Sequence, residues 1–348
     1  MTPDLTADSI EPPAGREADA WILRRRGPKN PTDPESAYAL LREWEPSPTG
    51  SGLADVWTVF LTNRECPWRC LMCDLWKNTL DQALAPGAIP RQLKRALRTL
   101  GDAPPQPAAS LPISERHLKL YNSGSFFDRQ AIPSEDHVEI ARQASGFHRV
   151  IVECHPSLVG DLVLRFRDQL LNESRGSIAP CLELALGLET AHEPSLTRLN
   201  KRMTVANFVH ASRFLTNHGV AVRVFLLAHP PFMSATEQPV WIRRSIEVAF
   251  DAGATVVSLI PTRVGNGALD RLRDAGLFRE PPLEALEEAF EYGLSLRRGR
   301  VLADLWDLKR FSRCEACFGE RRNRLEQMNW TQKARPPAAC AAGCGSNA

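Results

Sequence analysis

The chain lacks what a membrane protein needs. No apolar run in its 348 residues reaches the roughly 18–20 residues of a spanning helix. The first twenty residues, MTPDLTADSIEPPAGREADA, are acidic and carry two adjacent prolines. They show no apolar h-region, so no secretory signal is read there. An excess of one charge is missing as well. The 43 Lys and Arg residues face 41 Asp and Glu, a formal net charge of +2 that neither demands nor excludes a polyanionic partner. No internal repeat of fixed period is present beyond an alternation of strands and helices. These absences lead us to expect a cytoplasmic, reducing location and no membrane partner.

Cysteine, by contrast, is plentiful. Nine are present, an odd number, at 66/70/73, 154, 181, 314/317 and 340/344. Clusters at such short spacings in a reducing compartment read as metal or cluster ligation rather than as a disulfide framework. With 43% hydrophobic and 24% charged residues, the rest of the composition is that of a protein able to bury a sizeable core.

From residue 56 the chain settles into a rhythm. β-rich apolar runs stand at 56–62, 117–122, 149–154, 181–189, 220–228 and 255–261, and a seventh run at 299–306 could close or extend the set. Helix-period segments fall between them, near 90–100, 134–145, 158–171, 204–217 and 236–252. Six strands alternating with helices predict βαβ units and a parallel sheet covered on both faces, with the chemistry at the strands' C-terminal ends. Residues 101–115 read as a Pro-rich surface connection. We divide the chain into a disordered tail and basic arm (1–54), an α/β core barrel (55–308) and a Cys-rich extension (309–348). In the arm, Arg24, Arg25, Arg26 and Lys29 form either a solvated charge run or an anion-binding surface.

Residues with chemistry follow the strands. The loop TNRECPWRCLMCDLW places Cys66, Cys70 and Cys73 after the first strand as C-x3-C-x2-C. A closed zinc site wants four protein ligands and a [4Fe–4S] cluster usually takes four cysteines. Three thiols therefore leave one metal position open, unless a remote residue such as Cys154 completes the set. Asn122, Ser123, Gly124 and Ser125 follow the second strand. Glu153 and His155 flank Cys154 at the end of the third, and Glu189 ends the fourth. His229 opens a rigid His-Pro-Pro turn after the fifth. Arg263 and Asn266 follow the sixth, as an anion-binding pair or as an outward turn.

C-x3-C-x2-C directly after the first strand of a βα series resembles the signature of the radical S-adenosylmethionine (SAM) superfamily. The resemblance implies a partial (β/α)6 TIM-like barrel. It also implies a [4Fe–4S] cluster on Cys66, Cys70 and Cys73, and SAM bound at the open iron and cleaved to a 5′-deoxyadenosyl radical. SAM contacts fall to Asn122, Ser123, Gly124, Ser125, Glu189 and Arg263, and the electron donor is a flavodoxin or ferredoxin type. KLYNSGSFFD, VIVECHP, LALGLET, LNKRMT and FLLAHPPF resemble the archaeosine-synthase-type radical SAM lyase and its uncharacterised bacterial relatives, which implies a modified base of transfer RNA as substrate. Other substrates of such chemistry, a small molecule or a peptide, stay open. Two non-enzymatic readings also stay open, a zinc-binding nucleic-acid module and an electron carrier. The C-terminal Cys314, Cys317, Cys340 and Cys344 suit zinc or an auxiliary cluster, or are incomplete if the last two stay unliganded. Arg321, Arg322 and Arg324 between them face either RNA phosphates or solvent.

Overall fold

The computed structural model describes residues 9–50, 52–102, 112–174, 178–340 and 342. Most of the Pro-rich connection at 101–115 and the first eight residues of the tail lie outside that set. In chain order the elements are α1 (Arg16–Leu23), β1 (Ala39–Pro46), β2 (Leu53–Phe60), α2 (Ala88–Asp102), β3 (Ile113–Tyr121), α3 (His137–Ala144) and β4 (Arg149–Cys154). There follow α4 (Asp161–Glu173), β5 (Cys181–Glu189), α5 (Glu193–Arg198), α6 (Val205–Asn217), β6 (Ala221–Ala228), α7 (Gln238–Asp251), β7 (Val256–Pro261), α8 (Ala268–Asp274), α9 (Leu283–Ser295), β8 (Arg300–Ala303) and α10 (Glu315–Thr331). No helix among the described residues is long and apolar enough to cross a membrane.

The strands form one eight-stranded sheet in the order β1 to β8. β2 to β8 run parallel, and β1 pairs antiparallel with β2, Ala39 opposite Phe60 and Pro46 opposite Leu53. The six expected strands are β2 to β7, and the seventh run is β8. The fold is thus the expected partial α/β barrel, with one strand more than the sequence reading assigned.

That extra strand, β1, lies in the segment assigned to a basic arm, and α1 lies in the segment assigned to a disordered tail. Both are ordered and packed. Trp21 and Ile22 of α1 are buried in a cluster with Leu71, Leu199, Leu269 and Phe278 at the C-terminal mouth of the barrel. Of the four basic residues singled out in the arm, Arg24 is exposed, and the other three are engaged within the protein. Arg26 and Lys29 reach the Glu65 carboxylate at 2.7 and 2.9 Å, and the Arg25 guanidinium lies 3.7 Å from the Trp21 ring centroid.

The sheet curls, and the lumen is polar. Outward strand residues such as Val59, Leu120, Val152, Leu186 and Val224 join the helices in the main core. Inward residues build a buried ionic plug. Arg223 on β6 binds Glu45 on β1 through both terminal nitrogens (2.8 and 2.7 Å) and Glu183 on β5 through Nε (2.7 Å). A contact from β6 to β1 can only cross the lumen. Toward the C-terminal mouth comes an arc of rings, Tyr38–Phe60–Tyr121–Phe225, with successive centroids 5.6, 6.0 and 6.1 Å apart. Phe60, Tyr121 and Phe225 are only half-buried although they point inward, so the lumen is open to water down to this depth.

The sheet does not close by strand pairing. At the seam, Arg300 Nη1 on β8 donates to the Pro46 carbonyl on β1 (3.0 Å). α10 covers the free edge of β8 with amide side chains. Gln332, just past the helix, binds the N–H and C=O of Val301 (both 2.8 Å), and Asn329 binds those of Ala303 (2.8 and 2.9 Å). Each amide supplies the donor and acceptor that a neighbouring strand would have supplied, which blunts an edge otherwise open to pairing.

Candidate functional site

The cysteine loop is fastened at its neck and along its length. Leu80 N–H donates to Asn63 O, and Glu65 N–H to Leu80 O, both at 2.9 Å, so the loop closes on itself. Leu71 N–H donates to Leu199 O (2.9 Å). Asn266 Nδ2 donates to Leu71 O (2.7 Å) and Cys73 O (3.3 Å). Asn200 Nδ2 donates to Arg69 O (2.8 Å), and the Arg69 guanidinium binds Cys66 O. A loop with this many external anchors is held ready for its ligand rather than shaped by it.

Burial pushes the Cys66 thiol up to about 12 and raises those of Cys70 and Cys73. For Cys66 and Cys73, charge on a neighbouring thiol of the trio adds to the effect. Three clustered thiols that resist ionising alone are poor as isolated nucleophiles. They suit a thiophilic cation, whose charge offsets the desolvation. Cys154 does not complete the set. It packs in the core between sheet and helices, its Sγ donating to His155 O (3.3 Å).

The turn after β3 backs the loop. A Cβ on Gly124 would lie 3.0 Å from the Cβ of Cys66 and 3.7 Å from its Sγ, so glycine here lets the turn lie against the first cysteine. Ser123 has φ 54, and its Oγ meets the Tyr38 hydroxyl at 3.1 Å. Ser125 Oγ receives His155 N–H (3.3 Å). The N–H groups of Asn122, Gly124 and Ser123 are turned toward the Glu153 carboxyl, Asn122 N at 2.8 Å. Burial outweighs these donors and pushes Glu153 up to about 7. Both side-chain amide atoms of Asn122 are buried without a hydrogen-bond partner. Orphaned polar atoms at such a rim point to a ligand.

Opposite this turn, Glu189 (φ 66) is buried and takes Lys201 Nζ at 2.5 Å. A Cβ on Gly187 would lie 2.2 Å from Glu189 Oε1 and 2.4 Å from Lys201 Nζ, so only glycine leaves room for the pair. Lys201 is close enough to Cys70 and Cys66 to interact with them electrostatically, and it puts the one buried ammonium of this rim beside the thiols. Its side chain was not legible as a site residue, because it sits twelve residues past Glu189 in a turn with no spacing signal. His155 is a satisfied structural residue. Its ring nitrogens bind Ser157 Oγ (2.7 Å) and Lys201 O (3.0 Å), and its face stacks on Trp68 at 4.0 Å.

The remaining candidates lie elsewhere. Arg263 is paired with Asp304 (2.7 Å), and Asn266 anchors the cysteine loop. Arg321 binds Glu284 and Glu287 (both 2.6 Å), and Arg324 pairs with Glu291 and Glu287, so these two buried arginines fasten α10 to α9 instead of facing RNA. Cys314, Cys317 and Cys340 come together at the start of α10. Cys344 lies outside the described residues.

Comparison with known proteins bears out the resemblance read from the sequence. The chain is 28% identical over 240 residues to archaeosine synthase subunit beta of Methanosarcina acetivorans, covering 66% of this chain and 64% of that protein. It is 25% identical over 193 residues to the subunit of the same name from Thermococcus kodakarensis, covering 54% and 57%. The chain thus spans less than two thirds of the length of these relatives. Among solved structures, methylornithine synthase (PylB) superimposes with a TM-score of 0.47 at 14% identity, over 74% of this chain and 67% of that one. The radical S-adenosylmethionine methyltransferase TsrM from Kitasatospora setae gives 0.43 at 16% identity, over 65% and 39%. No family model matches the chain.

Proposed function

We propose that this protein is a radical SAM enzyme whose [4Fe–4S] cluster is held by Cys66, Cys70 and Cys73. The observation that carries the reading is three half-buried thiols on a pre-anchored loop, set over a lumen that stays open to the aromatic arc below. When bound, such a cluster supplies the electron for reductive cleavage of SAM, delivered to it by a flavodoxin or ferredoxin type of donor. The chain's own residues position and exclude. Asn122 offers an unpaired amide to the polar end of SAM. Glu189 and Lys201 offer a carboxylate and an ammonium beside Cys70. Ser123 to Ser125 and Gly124 hold the back wall. The ionic plug seals the far end of the barrel, so reactants enter and water leaves from the cysteine side.

A planar substrate suits the lumen, because Phe60, Tyr121 and Phe225 present ring faces and edges there. Together with the similarity to archaeosine synthase subunit beta, this favours a modified base of transfer RNA. The test has two arms. Anaerobically reconstituted, reduced protein should convert SAM to 5′-deoxyadenosine; colourless protein that leaves SAM intact overturns the proposal. Transfer-RNA nucleosides from a deletion strain should differ from the parent by mass spectrometry. An unchanged profile turns the substrate toward a small molecule or peptide.

The wall at Gly124 makes a separate prediction. Gly124→Val forces branched methyl groups into the space of Cys66, and packed interiors yield little to such insertions. Iron uptake on reconstitution should fall severalfold while the far-UV circular dichroism stays that of the parent. Full iron loading would show that Cys66 moves freely.

A further inference from the structure

The C-terminal cysteines form a second site, independent of the barrel's mouth. Cys314 caps α10 and Cys317 lies in its first turn. The chain leaves the helix at Gln332, which takes a left-handed conformation (φ 54, ψ 32), and then returns along it. The carbonyls of Arg335 and Pro336 accept from Arg324 Nε at 3.0 and 2.8 Å. Cys317 to Thr331 is roughly 21 Å of helix, and the eight steps from 332 to 340 span at most roughly 26–29 Å when extended. The return is therefore long enough to bring Cys340 back to the helix start.

There the ligand atoms of Cys314, Cys317 and Cys340 all lie within 4.8 Å of one another, with Cys314 Sγ and Cys340 Sγ 3.7 Å apart. This spacing separates a single tetrahedral ion from a [4Fe–4S] cluster. Thiolates at about 2.3 Å from one tetrahedral zinc ion stand about 3.8 Å apart. The thiolates of a [4Fe–4S] cluster each sit on a different iron and are spread more widely. Among the described residues no other trio of thiol, imidazole or carboxylate atoms is gathered this tightly, so the sulfurs of Cys66, Cys70 and Cys73 do not share this spacing.

We propose that Cys314, Cys317 and Cys340 ligate a single zinc ion that clasps the returning tail to the start of α10. The described residues supply three of the four ligands that a structural zinc takes. The clasp has a mechanical purpose. α10 covers the seam of the barrel through Asn329 and Gln332 near its C-terminal end and is bolted to α9 through Arg321 and Arg324 midway. Zinc fixes its N-terminal end and holds the tail carbonyls on Arg324. A redox-inert ion can do this beside a one-electron site without diverting electrons.

Metal analysis of the full-length protein, purified anaerobically with its iron in place, tests the clasp. We expect one zinc per chain in addition to the iron, released by an organomercurial that caps thiols. Cys314→Ser/Cys317→Ser should lose that zinc while iron per chain stays constant, and Cys181→Ser should lose neither. Zinc X-ray absorption of the parent should show a sulfur shell near 2.3 Å, which decides the matter even if the double variant is insoluble. Iron falling by about four per chain in the double variant would instead show an auxiliary cluster. Parent protein with no stoichiometric zinc would overturn the proposal. Both readouts are separate from SAM cleavage, so failure of the radical SAM reading leaves them intact.

Discussion

Cys70→Ala abolishes conversion of SAM to 5′-deoxyadenosine and strips the protein of its brown colour, whereas Cys181→Ala and Cys314→Ala leave both in place. The expected loss exceeds about a hundredfold, because even outer-shell partners of a metal site are worth roughly 10–100-fold and Cys70 is proposed as a direct ligand. No nearby thiol among the described residues can replace it. Cys154 faces the core behind the sheet, Cys181 lies at the start of β5, away from the mouth, and Cys314 belongs to the group beside α10. Anaerobic reconstitution with iron and sulfide, followed by iron quantification and chromatography of the nucleoside product, checks the result. Cleavage surviving in Cys70→Ala would remove the cluster from this loop altogether. The fold should persist in the variant, since the loop's anchors at Leu71, Asn200 and Asn266 do not involve the Cys70 side chain.

The same residues show what a sequence can and cannot display. Strands β2 to β7 were legible because their outward faces are apolar runs that pack on helices, and a βα rhythm is a pattern of sequence alone. β1 was not. Its inward residues Glu43 and Glu45 are charged and its partners sit on β3 and β6, so it reads as an exposed polar stretch until the barrel closes around it. α1 was hidden for a similar reason. Eight residues after two prolines carry little helix signal, and Trp21 is ordered by Leu71 and Phe278, which are distant in sequence. Within the site, spacing gave the cysteines and strand ends gave Asn122, Gly124 and Glu189. It could not give Lys201 or the role of Glu153, because both depend on which backbone turns face which side chains. Nor could it show that Arg263 pairs with Asp304.

The buried plug sets the other large effect. Arg223→Met should lower the free energy of unfolding by about 3–5 kcal/mol, the cost of stranding buried charge when one partner of an ion pair is removed. Typical domains have only about 5–15 kcal/mol in total, so the variant should accumulate largely in the insoluble fraction at 37 °C. Two carboxylates lose their principal cation at once, Glu45 with its paired contacts and Glu183 with its Nε contact. Lys119 at 2.6 Å from Glu45 and Arg149 at 2.9 Å from Glu183 compensate only in part. The pH dependence separates this account from simple loss of packing. Burial alone would raise Glu183, but Arg223, Arg149 and Arg300 outweigh it and hold the carboxyl down at about 2. Burial likewise opposes ionisation of Glu45, and Arg223 with Lys119 holds it well below the usual range. Both folded values lie below the unfolded one. Their stabilisation is therefore complete above about pH 4.5 and drains away as pH falls toward 2. In Arg223→Met these carboxyls revert upward, so acid costs the variant less than it costs the parent. The gap in urea midpoint between the two proteins should be widest near pH 7 and narrow steadily by pH 3.5. A gap independent of pH would mean that Arg223 contributes volume rather than charge. The barrel floor would then be held by packing, as an ordinary apolar core is.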